Sequence, residues 1–183
     1  FHGGGLEEAT DIIAQHAAEA TGSSYYGIHQ PADLKWHVPS HRIDPQHSET
    51  LSGFIDHVDT VITIHGFGRQ GFFTSLLLGG RNRGLATHVA QHLRTALPAY
   101  NVVDDLGRIP VDLAGQHMDN PVNRVRNHGV QIELPPRVRG ASPLWWDWEG
   151  PHLTPHTQSL IDGLVRAVRT WNASESSTEL NAQ

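Results

Sequence analysis

Two hydrophobic periods alternate along the chain. Between Glu7 and Ala20, residues Ile12, Ile13, His16, Ala17 and Ala20 recur at helical spacing, and Gly22 follows as a C-cap signal. Tyr25 to Ile28 and Trp36 to Val38 read as short strands around a polar loop. Ser48 to Val58 predicts a second helix, with Leu51, Phe54, Ile55 and Val58 on one face. Thr60 to His65 is a β-branched run ending at Gly66, and Phe72 to Leu78 is a second apolar run closed by Gly79-Gly80. A helix over 84–97, a strand over 100–103 and a strand over 129–134 follow, the last stopped by Pro135-Pro136. The helix predicted over 154–171 carries the stripe Leu160, Ile161, Leu164, Val165 and Val168. Strands interleaved with helices predict an α/β domain whose mostly parallel or mixed sheet is covered on both faces.

Composition narrows the chemistry. The 183 residues include no Cys, which removes disulfides, thiolate zinc sites and thiol nucleophiles. The formal charge of −6 argues against a nucleic-acid surface, and no apolar run approaches the ~18 residues of a membrane span. Histidine is abundant at 14 residues, so metal or acid–base chemistry must run on His and carboxylates. His88 and His92 form an i, i+4 pair without the surrounding H-E-x-x-H pattern and read as surface or packing residues.

In α/β sheets, ligands gather beyond the carboxyl ends of strands. Three places put a polar residue there. His2-Gly3-Gly4-Gly5-Leu6-Glu7 reads as a strand end, a glycine turn and a helix start. Its His and Glu can converge on one cation, although Glu7 also suits an ordinary first-turn carboxylate. His65 closes an apolar strand and is followed by Gly66. Alone it suits a packed, hydrogen-bonded histidine; with His2 and Glu7 it completes three protein ligands with a fourth position open, the pattern of a catalytic zinc site. On 129–134, alternation sets Gln131 and Glu133 opposite Val130, Ile132 and Leu134. A carboxylate in a buried strand is costly unless paired or employed. Glu133 therefore reads either as a general base near the metal or as the partner of Arg124, Arg126, Arg137 or Arg139. An esterase oxyanion loop can also read H-G-G-G, but no serine here has the flanking glycines of a nucleophile elbow.

The succession His2-Gly3-Gly4-Gly5-Leu6-Glu7, Ile64-His65-Gly66, Leu78-Gly79-Gly80-Arg81-Asn82 and Val122-Asn123-Arg124 leading to Gly129–Leu134 resembles the poly-γ-glutamate hydrolase family over roughly residues 1–170. The resemblance implies a zinc-carboxypeptidase-like fold, a three-layer α/β/α sandwich, and hydrolysis of amide bonds, γ-glutamyl links among them. It implies zinc ligation by His2, Glu7 and His65, a general-base role for Glu133, and a place for His41 near the site. The Trp- and Pro-rich stretch from Pro135 to Pro151 departs from the family pattern. Residues 1–171 are then expected to form one zinc-hydrolase-like domain whose first strand starts before His2, with 172–183 as a flexible polar tail.

An acidic peptide or polyglutamate-like substrate needs cationic or amide clamps, and Arg69, Arg81, Asn82, Asn123 and Arg124 are candidates. Two other assignments stay open: a cell-wall amidase or N-acyl amino acid deacylase using the same zinc site, and a non-catalytic metal- or ligand-binding domain.

Overall fold

The computed structural model describes every residue except Phe1, Gly5, Ala32, Pro151, His152 and 181–183, with the backbone alone for 2–4 and 173–180. Its central sheet has four strands in the order β3-β6-β4-β5: β3 Val61–Gly66, β6 Gly129–Leu134, β4 Ser75–Leu78 and β5 Asn101–Val103. β3 runs parallel to β6, β4 antiparallel to β6, and β5 parallel to β4. A separate parallel pair joins β1, His2–Gly4, to β2, Ile28–Gln30. The fold is the expected α/β class with a mixed sheet.

Strand alternation gives the sheet two chemically different faces. Ile64, Leu76, Leu78, Val102, Val130, Ile132 and Leu134 turn to one side and form the main core with three helices, α1 Thr10–Thr21, α3 Arg83–Ala96 and α4 Pro155–Leu180. Each helix brings a matching stripe: Ile13 from α1; Leu85, Val89 and Leu93 from α3; Leu160, Ile161 and Leu164 from α4. Local chemistry sets their ends. Gly22 adopts φ 68 after α1 and donates its N–H to Ala18, and the Asn82 side chain accepts the Leu85 N–H at the start of α3.

The opposite face is covered differently. Leu77 and Val103 join Phe67, Ile109 and Ala114 in a second, smaller core. Its roof consists of short 3-10 turns, among them Leu106–Arg108, Val111–Leu113 and Pro121–Asn123. Gly107, Pro110, Gly115 and Pro121 recur too often in this stretch for a long helix. The remaining helix, α2 Glu49–His57, is capped by Ser48, whose Oγ accepts the Leu51 N–H.

Three expectations differ in detail. No strand forms over Trp36–Val38, and β2 begins only at Ile28. The strand expected over 72–78 is shortened to Ser75–Leu78. The last helix continues past Trp171 to Leu180, where the sequence suggests a solvated tail; 172–180 contains neither Gly nor Pro, so nothing in its backbone chemistry stops a helix. No helix among the described residues is long and apolar enough to cross a membrane.

Candidate active site

Because β3 and β6 are parallel neighbours, their carboxyl ends lie side by side. The register pairs His65 with Glu133 and Thr63 with Gln131. All four side chains turn away from the helical layer, and both His65 and Glu133 are 5% exposed.

Glu7 reaches this point from the turn between β1 and α1. Its Oε2 accepts the Gly66 N–H at 2.9 Å and lies 3.6 Å from His65 Nδ1. That separation is too long for a hydrogen bond. It lies at the upper end of the edge, about 3.3–3.6 Å, of a tetrahedron built on zinc bonds of about 2.0–2.2 Å. The side chain of His2, the third expected ligand, lies outside the described residues. Among the described residues no three His, Asp or Glu side chains form a metal-sized cluster, and Glu7 with His65 is the part of the expected set whose geometry can be read.

Two buried carboxylates lie close together here. Burial, and then the Glu7 carboxylate, push Glu133 up to about 7 against a hydrogen bond from Gln131. Arg139 supplies positive charge: it is 8% exposed, donates through Nε to the Leu134 carbonyl at 3.1 Å and through Nη1 to the Glu8 carbonyl. Burial lowers its pKa, with Glu7, Glu8 and Glu133 opposing. The turn it grips ends at Ala9, which adopts φ 68, a left-handed conformation uncommon for alanine.

The pairing of Glu133 with an arginine, open from sequence, finds no ion pair among the described residues. Arg124 pairs with Asp119 at 3.2 Å, Arg126 with Asp59 at 3.2 Å, and Arg137 lies over the Tyr100 ring. The hydrogen bond that reaches Glu133 comes from Gln131 Nε2 at 2.8 Å, and Gln131 Oε1 in turn accepts from Asn120 Nδ2 at 2.8 Å.

The substrate-clamp candidates separate. Arg69 stays near the site: its guanidinium is gripped at two points by exposed Asp112, which raises its pKa, and the Glu133 charge adds to that shift. Asn82 sits at the far end of β6, where its N–H donates to the Gly129 carbonyl, roughly 13 Å of strand from Glu133. Its side chain caps α3. Arg81 is in the same segment, its N–H bound to Asn123 Oδ1. The physical reason is strand direction. β4 is antiparallel to β3 and β6, so its carboxyl end points away from theirs. Asn123 is 2% exposed, with both amide hydrogens on the Gly115 and His117 carbonyls; it ties a loop together and presents no free amide. Ser40 lines a small pocket bordered by His65, whereas His41 packs on His117 with ring centroids 5.0 Å apart.

A family model described as poly-gamma-glutamate hydrolase matches residues 1–142, more than half of the chain. The chain belongs to the poly-gamma-glutamate hydrolase family. Membership supports a hydrolase acting on γ-glutamyl amide bonds. Among solved structures, a bacteriophage poly-gamma-glutamate hydrolase is similar at TM-score 0.73 and 19% identity, over 94% of this chain and 82% of that one. The zinc-free apo form of YNDL is similar at TM-score 0.68 and 18% identity, over 92% and 81%. Both likenesses establish the fold. No curated protein matches the chain.

Three residues have contacts here that the sequence pattern does not assign: Gln131, Asn120 and Arg139. Gln131 stood on the same strand face as Glu133, and its alternation was the available signal. Asn120 sits in a loop whose contact with Gln131 no periodicity reveals. Arg139 was visible only as one of four possible arginine partners.

Proposed function

We propose that the chain is a zinc-dependent amidase that hydrolyses γ-glutamyl links, with His2, Glu7 and His65 as metal ligands and Glu133 as general base. The observation that carries this reading is the in-register pairing of His65 with Glu133, with Glu7 Oε2 3.6 Å from the His65 Nδ1. The zinc-free form of a similar fold gives independent support for zinc. Zinc, when bound, supplies a positive charge that polarises the amide carbonyl and acidifies water.

The chain's own groups account for the proton. Glu133 takes it from the attacking water and returns it to the amine nitrogen as the C–N bond breaks. Without metal, burial and the Glu7 carboxylate raise the Glu133 pKa; a cation held by Glu7 would offset that rise and favour the ionised base. His65 and Glu7 would present a neutral nitrogen and a carboxylate oxygen, a donor set that fits zinc. Arg69, with its guanidinium at the rim, is the candidate for the carboxylates of an acidic chain, which would compete with Asp112 for the same fork.

Replacement of Glu133 by Gln tests the base, because it keeps the shape and removes the proton acceptor. Hydrolysis of γ-glutamyl oligomers should fall by roughly 10²–10⁴-fold while the zinc content holds. His65→Ala should lose zinc and activity together. Unchanged hydrolysis in Glu133→Gln would rule out the base; loss of zinc in that variant would make Glu133 a ligand.

A further inference from the structure

We infer that Asn120 and Gln131 form a hydrogen-bond relay of fixed polarity that holds the Glu133 carboxylate in its working orientation, with Asn120 and Gln131 as positioning residues. The inference rests on the reading of Glu133 as general base. The relay is buried throughout: Asn120, Gln131 and Glu133 are each 5% exposed.

Its polarity follows from a backbone group. An amide side chain can be turned end for end, so the direction of a chain of amides is ordinarily ambiguous. Here Asn120 Oδ1 accepts the N–H of Val122, which can only donate. The Asn120 amino group therefore faces Gln131, so Gln131 presents its carbonyl to Asn120 and its own amino group to Glu133 Oε1. With one carboxylate oxygen tied down by Gln131, the other has no hydrogen bond from the described residues and is the acceptor left for water.

The loop is built to hold this end of the relay. Asn120 precedes Pro121, which restricts its backbone, and it sits at φ −65, ψ 126. Gly115, at φ 62, packs so closely on Gln131 that a Cβ there would lie 2.8 Å from Oε1. Any larger residue at 115 would displace the amide. Asn123 then fixes the Gly115 carbonyl.

Asn120→Asp reverses the relay while keeping the loop. An aspartate still accepts the Val122 N–H, but it cannot donate to Gln131. The Gln131 amide must turn to donate to residue 120, which aims its carbonyl lone pairs at those of Glu133. With poly-γ-glutamate as substrate, kcat should fall by about 10- to 100-fold with KM within about twofold. In a Gln131→Met background, which already lacks the donor, Asn120→Asp should cause no further loss in kcat. Zinc content should stay at the parent value, and thermal unfolding, although lowered by the buried charge, should show the variants folded at the assay temperature. Should Asn120→Asp fail to fold, Asn120→Ser carries the same expectation, since serine keeps an acceptor for Val122 and lacks the reach to Gln131. Parent kcat in Asn120→Asp beside an inactive Glu133→Gln, or losses at 120 and 131 that simply add, would overturn the relay alone. Parent activity in Glu133→Gln would instead overturn the base reading on which the relay depends.

Discussion

At the scale of single residues, the site is made of groups that destabilise the protein that carries them. Glu133 is buried beside a second carboxylate, and these two causes raise it from an ordinary 4.5 to about 7. Between those values the folded protein keeps a proton on Glu133 that the unfolded chain releases. The folded state then binds more protons, so stability falls as pH rises from about 4.5 to 7, and the full penalty persists above. Its size is on the order of 3 kcal/mol. Glu133→Gln removes the titration without removing the hydrogen-bonding shape. In the presence of a chelator, that variant should therefore melt above the parent at pH 8, with the two converging near pH 4.5. Equal melting temperatures across that range would mean that Glu133 is not held protonated by its surroundings. Some of this was legible from sequence. A Glu alternating with apolar residues on a strand already signals a buried carboxylate that needs employment. What alternation could not supply was the neighbour, because Glu7 arrives from a turn at the opposite end of the chain.

At the scale of elements, β6 ends where the sequence says it must, between Gly129 and the Pro135-Pro136 stop. α3 and β3 agree with their predicted spans to within a residue or two, since long periodic segments flanked by glycine define themselves locally. Strand direction does not define itself locally. β4 pairs antiparallel with β6, with Leu77 opposite Glu133 and Leu78 opposite Ile132. This is why the Arg81-Asn82 segment, read as a site from its place after a strand end, lies at the wrong end of the sheet. The turn that reverses the chain there leaves little room. Gly80 adopts φ 80, and a Cβ would lie 2.4 Å from the Gly129 carbonyl oxygen. Gly80→Ala combines a left-handed backbone with a backbone clash and should cost at least about 2 kcal/mol. For a chain of this size, the melting temperature should drop by roughly 4–8 °C, which calorimetry can read directly. A variant that melts with the parent would show that the turn relaxes freely.

At the scale of the whole molecule, the sheet divides labour between its two faces. One carries the large apolar core that three helices cover, and this face supplies stability. The other interrupts a small apolar core with His65, Gln131 and Glu133, polar groups buried on the face that short turns cover. The proposed zinc would join the two, because a ligand that binds only the folded form stabilises it by mass action. Zinc at about 100 times its dissociation constant should contribute about 2.7 kcal/mol, a rise of roughly 5–10 °C in melting temperature. The rise should survive Glu133→Gln, which leaves the proposed ligands intact, and vanish in His65→Ala and His2→Ala. It should also depend on pH with a definite sign. Imidazole binds zinc only when neutral, so binding releases protons and the zinc-induced rise should shrink as pH falls through about 6.5, disappearing near pH 5. A rise that is equal at pH 5 and pH 8, or that persists without His65, would place the metal elsewhere and separate the buried Glu7–His65 pair from any metal chemistry.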